Sequence, residues 1–181
     1  MPAFDLTLPT GETIRVCYAT LSDGWAGNYF NGKRLGFNGE LTKHNYNRVI
    51  PELRTQLVHE IQQAGITFDA VVCPPSMGED IEPYRQAVLE RWPVRDLTGN
   101  FTRQGLKRAV HPDTSVEDMI AEFGYTPDGK EAELRSLLVV DESVASGKTI
   151  GAVLYHLREH GMRKDAAVAA ASCVRMLGDT D

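Results

Sequence analysis

Residues 137–150 read LLVVDESVASGKTI, and this stretch decides which fold the chain is expected to adopt. Its first four residues are apolar without interruption, a pattern typical of a central parallel strand that is buried on both faces. Two carboxylates, Asp141 and Glu142, and a loop of small residues follow, and Thr149 then begins a segment with helical spacing of apolar residues. The stretch therefore predicts a buried strand, a polar loop and a helix in direct succession.

Apolar strands and amphipathic helices alternate on either side of this stretch. Strands are predicted at residues 68–73, 93–97 and 166–174, and helices at 51–65, 81–92 and 149–160. Strands separated by helices favour right-handed crossover connections and a parallel sheet with helices on both faces. We therefore expect the fold class α/β, with a central, mainly parallel sheet flanked by helices.

The N-terminal part of the chain departs from this alternation. Residues 4–8 and 13–18 alternate apolar and polar side chains around a Pro-Thr-Gly turn, which predicts a β-hairpin. Residues 21–47 are rich in glycine, asparagine and aromatic side chains and are expected to form a long loop. We predict a single domain, with a core at 48–181 and an N-terminal hairpin-and-loop appendage at 1–47 that is a candidate hood over a ligand site.

Composition and charge exclude several classes of protein. The 181 residues carry 19 Lys and Arg against 25 Asp and Glu, a net charge of −6, which fits one full core and argues against nucleic-acid binding. No apolar run approaches the roughly 20 residues of a membrane helix, and no apolar leader is visible at the N-terminus. The three cysteines are scattered and form no C-x-x-C pair, which favours reduced core residues in a cytoplasmic protein.

The polar part of residues 137–150 has the features of an anion-binding loop. Backbone N–H groups of residues 145–149 can converge at a helix N-terminus, where the helix dipole also favours negative charge. The candidate phosphate-binding residues are Ala145, Ser146, Gly147, Lys148 and Thr149. Carboxylates at Asp141 and Glu142 would repel a phosphate, so they suit sugar hydroxyl groups or a bridging metal ion.

Two short motifs look like known sites but lack a required residue. Residues 146–149 end like a phosphate-binding P-loop, which needs a glycine at the position of Glu142. Residues 156–160 spell H-x-x-E-H, a zinc-protease pattern, but no glutamate follows them to supply the third ligand. We therefore expect neither a P-loop nor a zinc site.

Residues 137–150 as a whole resemble the signature of the type I phosphoribosyltransferases, in which an apolar strand, two acidic residues and a small-residue loop bind 5-phosphoribosyl 1-pyrophosphate (PRPP). The likeness is close here and loose over residues 48–175, and it implies a phosphoribosyltransferase-like fold. It also implies that Asp141 and Glu142 hold the ribose hydroxyls and organise Mg²⁺, while residues 145–149 hold the 5-phosphate. The implied reaction transfers the phosphoribosyl group to a nitrogenous base and releases pyrophosphate, a step of nucleotide metabolism.

The resemblance implies two further loops around the site. The first is a pyrophosphate loop after the strand at 68–73, and it consists of Pro75, Ser76, Met77 and Gly78. The second is a basic loop at residues 99–110, where Arg103 and Lys107 are expected to be catalytic by stabilising the leaving pyrophosphate. Arg175, just beyond the last predicted strand, is a further candidate for binding the base or the phosphate.

Two departures from the family pattern keep other functions open. Glu79 and Asp80 place acids in the pyrophosphate loop, and Ala145 stands where purine-type members carry an acid. These departures favour, as an alternative, a non-catalytic PRPP or nucleotide sensor on the same fold, and a metal-dependent phosphate-ester hydrolase is the third alternative. The expected partners are a small-molecule substrate (PRPP and a base) and a second copy of the chain in a homodimer; neither a nucleic acid nor a membrane is expected.

Overall fold

A computed structural model describes residues 2–21, 40–75, 81–105 and 113–175. Strands and helices alternate along these ranges, as the sequence predicts. In chain order the elements are β1 (Ala3–Thr7), β2 (Thr13–Leu21), α1 (Glu40–Gln63), β3 (Ala70–Val72), α2 (Glu82–Arg91), β4 (Arg95–Asp96), β5 (Phe101–Arg103), α3 (Val116–Glu122), β6 (Phe123–Tyr125), β7 (Ser136–Val144), α4 (Lys148–Glu159) and β8 (Ala167–Arg175).

Six of the strands form one sheet in the order β1-β2-β8-β7-β3-β4. The first pair is antiparallel and every other neighbouring pair is parallel. Leu138 at the centre of β7 lies opposite Val71 on one side and Ala169 on the other. The predicted α/β class, with a mainly parallel sheet flanked by helices, is therefore confirmed.

The sheet separates two apolar layers, and β7 contributes to both. Leu137 and Val139 belong to the layer under α3 and α4, with Leu154, whereas Leu138 and Val140 belong to the layer under α1 and α2. All five side chains are at most 1% exposed. Burying each of them is worth about 1.5–3 kcal/mol, which explains why this uninterrupted apolar run predicts the central strand correctly.

The N-terminal hairpin forms as predicted, but it is not an appendage beside the sheet. β2 pairs in parallel with β8, with Val16 opposite Ala170, so the hairpin supplies the two outermost strands on that side. Ile14 and Val16 enter one apolar layer, and Cys17 and Ala19 enter the other. Because β2 is apolar on both faces, it is suited to an interior position between two strands.

Helix α1 begins earlier than the sequence suggested. It starts at Glu40, so residues 40–47 are helical rather than part of the predicted loop, and Pro51 lies inside the helix instead of opening it. A proline lacks the N–H that would bond to the carbonyl four residues before it. That carbonyl belongs to Asn47, an exposed residue, so water can satisfy it and the helix continues.

The acidic and basic segment after β4 contains a small sheet that the sequence did not reveal. Strands β5 and β6 pair antiparallel, with Phe101 opposite Tyr125, and α3 lies between them in the chain. Helix α3 begins with a capping box formed by Ser115 and Asp118. Within the described ranges, no helix is both long enough and apolar enough to cross a membrane.

Candidate functional site

The carboxyl ends of the parallel strands meet at one edge of the sheet, and Asp141, Glu142 and Arg175 lie in the carboxyl-terminal parts of two of these strands. Ligands of open α/β folds bind at this edge because the loops that leave the strands converge on it. Asp96 ends β4, Cys73 follows β3, Asp141 lies in the second half of β7, and Arg175 ends β8. We call this side of the molecule the carboxyl edge.

Asp141 and Glu142 lie within β7 rather than in a loop after it. The strand continues to Val144 because its backbone keeps pairing with β8, with Asp141 opposite Ser172 and Val144 opposite Arg175. Both carboxylates are half-buried, and one Asp141 oxygen accepts a hydrogen bond from the Glu142 N–H at 2.8 Å. Successive strand residues project from opposite faces, so the two carboxylates are suited to different groups of one ligand.

The carboxylates fit a magnesium ion that is shared with a substrate. Mg²⁺ in phosphate-transfer sites is held by one or two carboxylates together with substrate phosphates and water, not by a cage of protein ligands. Among the residues that the structure describes, no three His, Cys, Asp or Glu side chains come together as a metal-binding group. Asp141 and Glu142 are carboxylates of the kind that would hold Mg²⁺ together with a bound phosphate.

The predicted phosphate loop runs directly into helix α4. Ala145 and Ser146 are exposed, Gly147 is buried at the N-cap position with φ of 72°, and Lys148 and Thr149 form the first turn of the helix. The N-cap residue offers no side-chain hydrogen bond to this turn. The N–H groups of this first turn therefore have no capping side chain, and N–H groups at a helix start are the kind that bind phosphate.

The loop is packed beneath the N-terminal hairpin. A Cβ atom on Gly147 would lie 2.7 Å from Leu8 Cδ2 and 3.0 Å from Leu6 Cδ2, so the leucine side chains would have to shift to admit it. Leu8 itself is only 2% exposed. This contact could not be predicted from the sequence, since nothing in residues 4–8 indicates which part of the core they cover. Gly147 is required both by its positive φ and by the two leucines above it.

A polar network at the end of β4 was also missed. The Arg85 guanidinium of α2 donates to Asp96 from Nε at 2.8 Å and to Glu82 from Nη1 at 2.7 Å. The second Asp96 oxygen accepts from the Thr98 N–H at 2.9 Å. Burial raises the pKa of Asp96, but these hydrogen bonds outweigh it and hold the pKa below its usual value. Asp96 is therefore a fixed negative charge at the carboxyl edge.

The same network reaches the strand beside β7. Thr98 Oγ1 accepts a hydrogen bond from the Cys73 N–H at 3.0 Å. Burial raises the pKa of the Cys73 thiol well above its usual value, and the charges of Asp96 and Asp141 raise it further. Burial and these charges therefore favour the protonated thiol.

Arg103 contacts the beginning of the predicted pyrophosphate loop. Its Nη1 donates to the Pro75 carbonyl at 3.1 Å, and its Nε donates to the Gly105 carbonyl at 3.2 Å. The guanidinium also lies over the Phe123 ring, 5.9 Å from the ring centroid. The two predicted loops thus meet at Arg103. The other predicted residues of these loops, Ser76, Met77, Gly78 and Lys107, lie outside the described residues.

Arg175 and the H-x-x-E-H motif have packing partners elsewhere. The Arg175 guanidinium lies 4.1 Å from the centroid of the Phe4 ring of the hairpin. His156 Nε2 is 3.1 Å from the Ile120 carbonyl, and His160 Nδ1 is 2.8 Å from the backbone carbonyl of His156. A backbone carbonyl therefore lies within hydrogen-bonding distance of each histidine of the motif.

The Arg85–Asp96 pair gives a pH-dependent prediction. Arg85→Gln should lower the free energy of unfolding at pH 7 by about 1.5–3 kcal/mol, because it removes hydrogen bonds to a half-buried carboxylate. A carboxyl group whose pKa is lowered by folding stabilises the protein above its unfolded pKa, and this is lost as the pH falls through the folded value. Urea unfolding of both proteins from pH 7 to pH 3 should therefore show the difference shrinking toward the acid end.

The control for this experiment is Arg163→Gln, which removes a fully exposed pair with Asp165. This change should leave the urea midpoint almost unaltered at every pH, since exposed pairs contribute little. If the difference in the free energy of unfolding between wild type and Arg85→Gln stays constant down to pH 3, Asp96 is not the group whose titration causes the pH dependence.

The predicted residues that the structure describes fall into two adjacent groups. Asp141, Glu142 and residues 145–149 lie along the end of β7 and the start of α4, and Pro75 meets Arg103 beside the neighbouring strand β3. The sequence matches no protein-family model, and no curated protein matches it.

Proposed function

We propose that the chain is a Mg²⁺-dependent phosphoribosyltransferase that binds PRPP at the carboxyl edge, transfers the phosphoribosyl group to a nitrogenous base and releases pyrophosphate. The observation that carries the proposal is the succession of β7, its two carboxylates and the uncapped start of α4. This arrangement supplies acceptors for sugar hydroxyls and donors for a phosphate along a single stretch of chain.

Each part of PRPP has a matching group in this arrangement. The N–H groups of residues 145–149, with the hydroxyls of Ser146 and Thr149, would bind the 5-phosphate. Asp141 and Glu142 would accept hydrogen bonds from the ribose 2- and 3-hydroxyls. Bound Mg²⁺ would neutralise the pyrophosphate charge. Anchoring a phosphate remote from C1 fixes the reacting carbon, which converts binding energy into rate.

The chemistry then needs little from the protein beyond position and charge. A ring nitrogen of the base attacks C1 as the bond from C1 to the pyrophosphate oxygen breaks, and the electron pair leaves with pyrophosphate. Positive charge develops on the ribose ring in between. Asp141 and Glu142, both negative and next to the ring hydroxyls, would stabilise that charge.

A second candidate function is a PRPP or nucleotide sensor without catalysis. The contacts of Arg103 favour it, because this basic residue was expected to meet the leaving pyrophosphate and instead donates to the Pro75 and Gly105 carbonyls. Ala145, which is exposed at the start of the loop, provides no acid for the proton of a base. Both candidates require the same PRPP site and differ only in turnover.

Calorimetric titration with PRPP, with and without Mg²⁺, followed by a pyrophosphate-release assay with a panel of nucleobases, tests the proposal. We expect Mg²⁺-dependent binding and release of pyrophosphate with at least one base. Binding without release would favour the sensor. Absence of PRPP binding would overturn both, and release of inorganic phosphate from simple phosphate esters would favour the hydrolase.

A further inference from the structure

Arg103 joins two chain segments that are far apart in sequence and adjacent at the carboxyl edge. One hydrogen bond reaches the Pro75 carbonyl, where the chain has left β3, and the other reaches the Gly105 carbonyl, just beyond β5. A second link lies close by, because Thr98 Oγ1 accepts from the Cys73 N–H at 3.0 Å. Hydrogen bonds therefore join both ends of residues 73–75 to the segment 98–105.

The guanidinium is suited to this task by its shape as well as its charge. Arginine presents several N–H donors in a planar fork, so one side chain can bond two carbonyls in fixed directions, which a lysine ammonium does less well. The Phe123 ring, 5.9 Å from the guanidinium carbon, restricts the plane in which the fork lies. Arg103 is half-buried, so these bonds are only partly exposed to competition from water.

We infer that Arg103 is a positioning residue: it sets the backbone of residues 73–75, and through it the affinity for the pyrophosphate end of the substrate, without contacting the reacting atoms. This inference rests on the proposed function and revises the catalytic role expected for Arg103. The 5-phosphate end would be bound at residues 145–149, and neither of these two hydrogen bonds of Arg103 reaches that loop. Removal of Arg103 should therefore affect one end of PRPP only.

The test compares three probes by calorimetry in Mg²⁺: PRPP, inorganic pyrophosphate and ribose 5-phosphate. Arg103→Ala and Arg103→Lys should each weaken PRPP and pyrophosphate binding by roughly tenfold or more, the loss expected for charged hydrogen bonds, and leave ribose 5-phosphate binding unchanged. If Arg103→Lys fails to restore binding, the planar set of guanidinium donors is required and the positive charge alone is not enough. Arg91→Ala and Arg91→Lys are the matched controls, since Arg91 is an exposed arginine that lies over the Trp92 ring.

A second variant covers the case in which Arg103→Ala unfolds. Thr98→Val removes the acceptor of the Cys73 N–H without touching Arg103, and it should show the same loss confined to PRPP and pyrophosphate. Equal weakening of all three probes, unchanged PRPP binding, or full rescue by Arg103→Lys would each overturn the inference. If the wild-type protein binds neither PRPP nor ribose 5-phosphate, the proposed function itself fails.

Discussion

The double substitution Asp141→Asn, Glu142→Gln is expected to abolish Mg²⁺-dependent binding of PRPP while the protein stays folded. Both replacements keep the shape of the side chain and remove its charge. Losing two charged acceptors at about 1.5 kcal/mol each corresponds to roughly 100-fold in affinity, before any loss of the ion is counted. Calorimetry with PRPP in Mg²⁺ measures the effect, and circular dichroism checks the fold.

The control is Asp165→Asn, which removes one exposed carboxylate in the connection between α4 and β8, before β8 begins. Its PRPP affinity should equal that of the wild type. Because Asp141 and Glu142 occupy successive strand positions and face different groups, each single substitution should also weaken binding, and neither should equal the double change. PRPP binding that survives the double change intact would show that the site has been assigned to the wrong residues.

The strands and helices that sequence predicts well are those whose apolar pattern is long. Residues 137–140 need burial on both faces, and only a central strand provides it, so β7 was identified correctly. Helix α4 has apolar residues on one face over three turns and was placed within a residue of its observed ends. Strands β5 and β6 have three residues each, too few to establish a period, and were missed.

Sequence identified elements better than the contacts between them. The alternation in β2 predicts a strand, but the strand that pairs with it, β8, lies at the other end of the chain. The Arg85–Asp96 pair joins a helix to the strand after it, and in the sequence both residues are ordinary surface charges. Arg103 was predicted to lie near the site from local charge, yet charge does not reveal that its donors face the Pro75 and Gly105 carbonyls.

As with the fold, the local elements of the candidate site could be predicted from the sequence, whereas the contacts around them could not. Residues 141–149 carry their chemistry in one continuous stretch, so residue types and spacing were enough to predict a strand, a loop and a helix start at the edge of a sheet. The contacts around Gly147 in that stretch come from Leu6 and Leu8 of the hairpin, and Thr98 beyond β4 contacts Cys73 after the neighbouring strand β3. These contacts depend on the order of strands in the sheet, which no local pattern encodes.

Gly147→Ala should destabilise the protein more than the same change at any other glycine with positive φ that has open space around it. The alanine would be held at φ of 72°, a conformation that costs an L-residue about 1–2 kcal/mol. Its Cβ would also lie 2.7 Å from Leu8 Cδ2, and overpacking of this kind typically adds about 1–3 kcal/mol. Urea unfolding should therefore show a loss of about 2–5 kcal/mol.

Gly65→Ala is the matched control, since Gly65 has φ of 64° and no neighbouring atom within 4 Å of an added Cβ. It isolates the conformational cost, and the difference between the two variants measures the contact with the hairpin. Adding Leu8→Ala to Gly147→Ala should recover part of that difference, because it removes the clashing methyl groups, so the two changes should cost less together than their sum. If Gly147→Ala lowers the free energy of unfolding by no more than Gly65→Ala does, Leu6 and Leu8 do not hold the loop at residues 145–149 in place. If it costs more and also weakens ribose 5-phosphate binding, the hairpin holds the loop in the conformation that binds the phosphate.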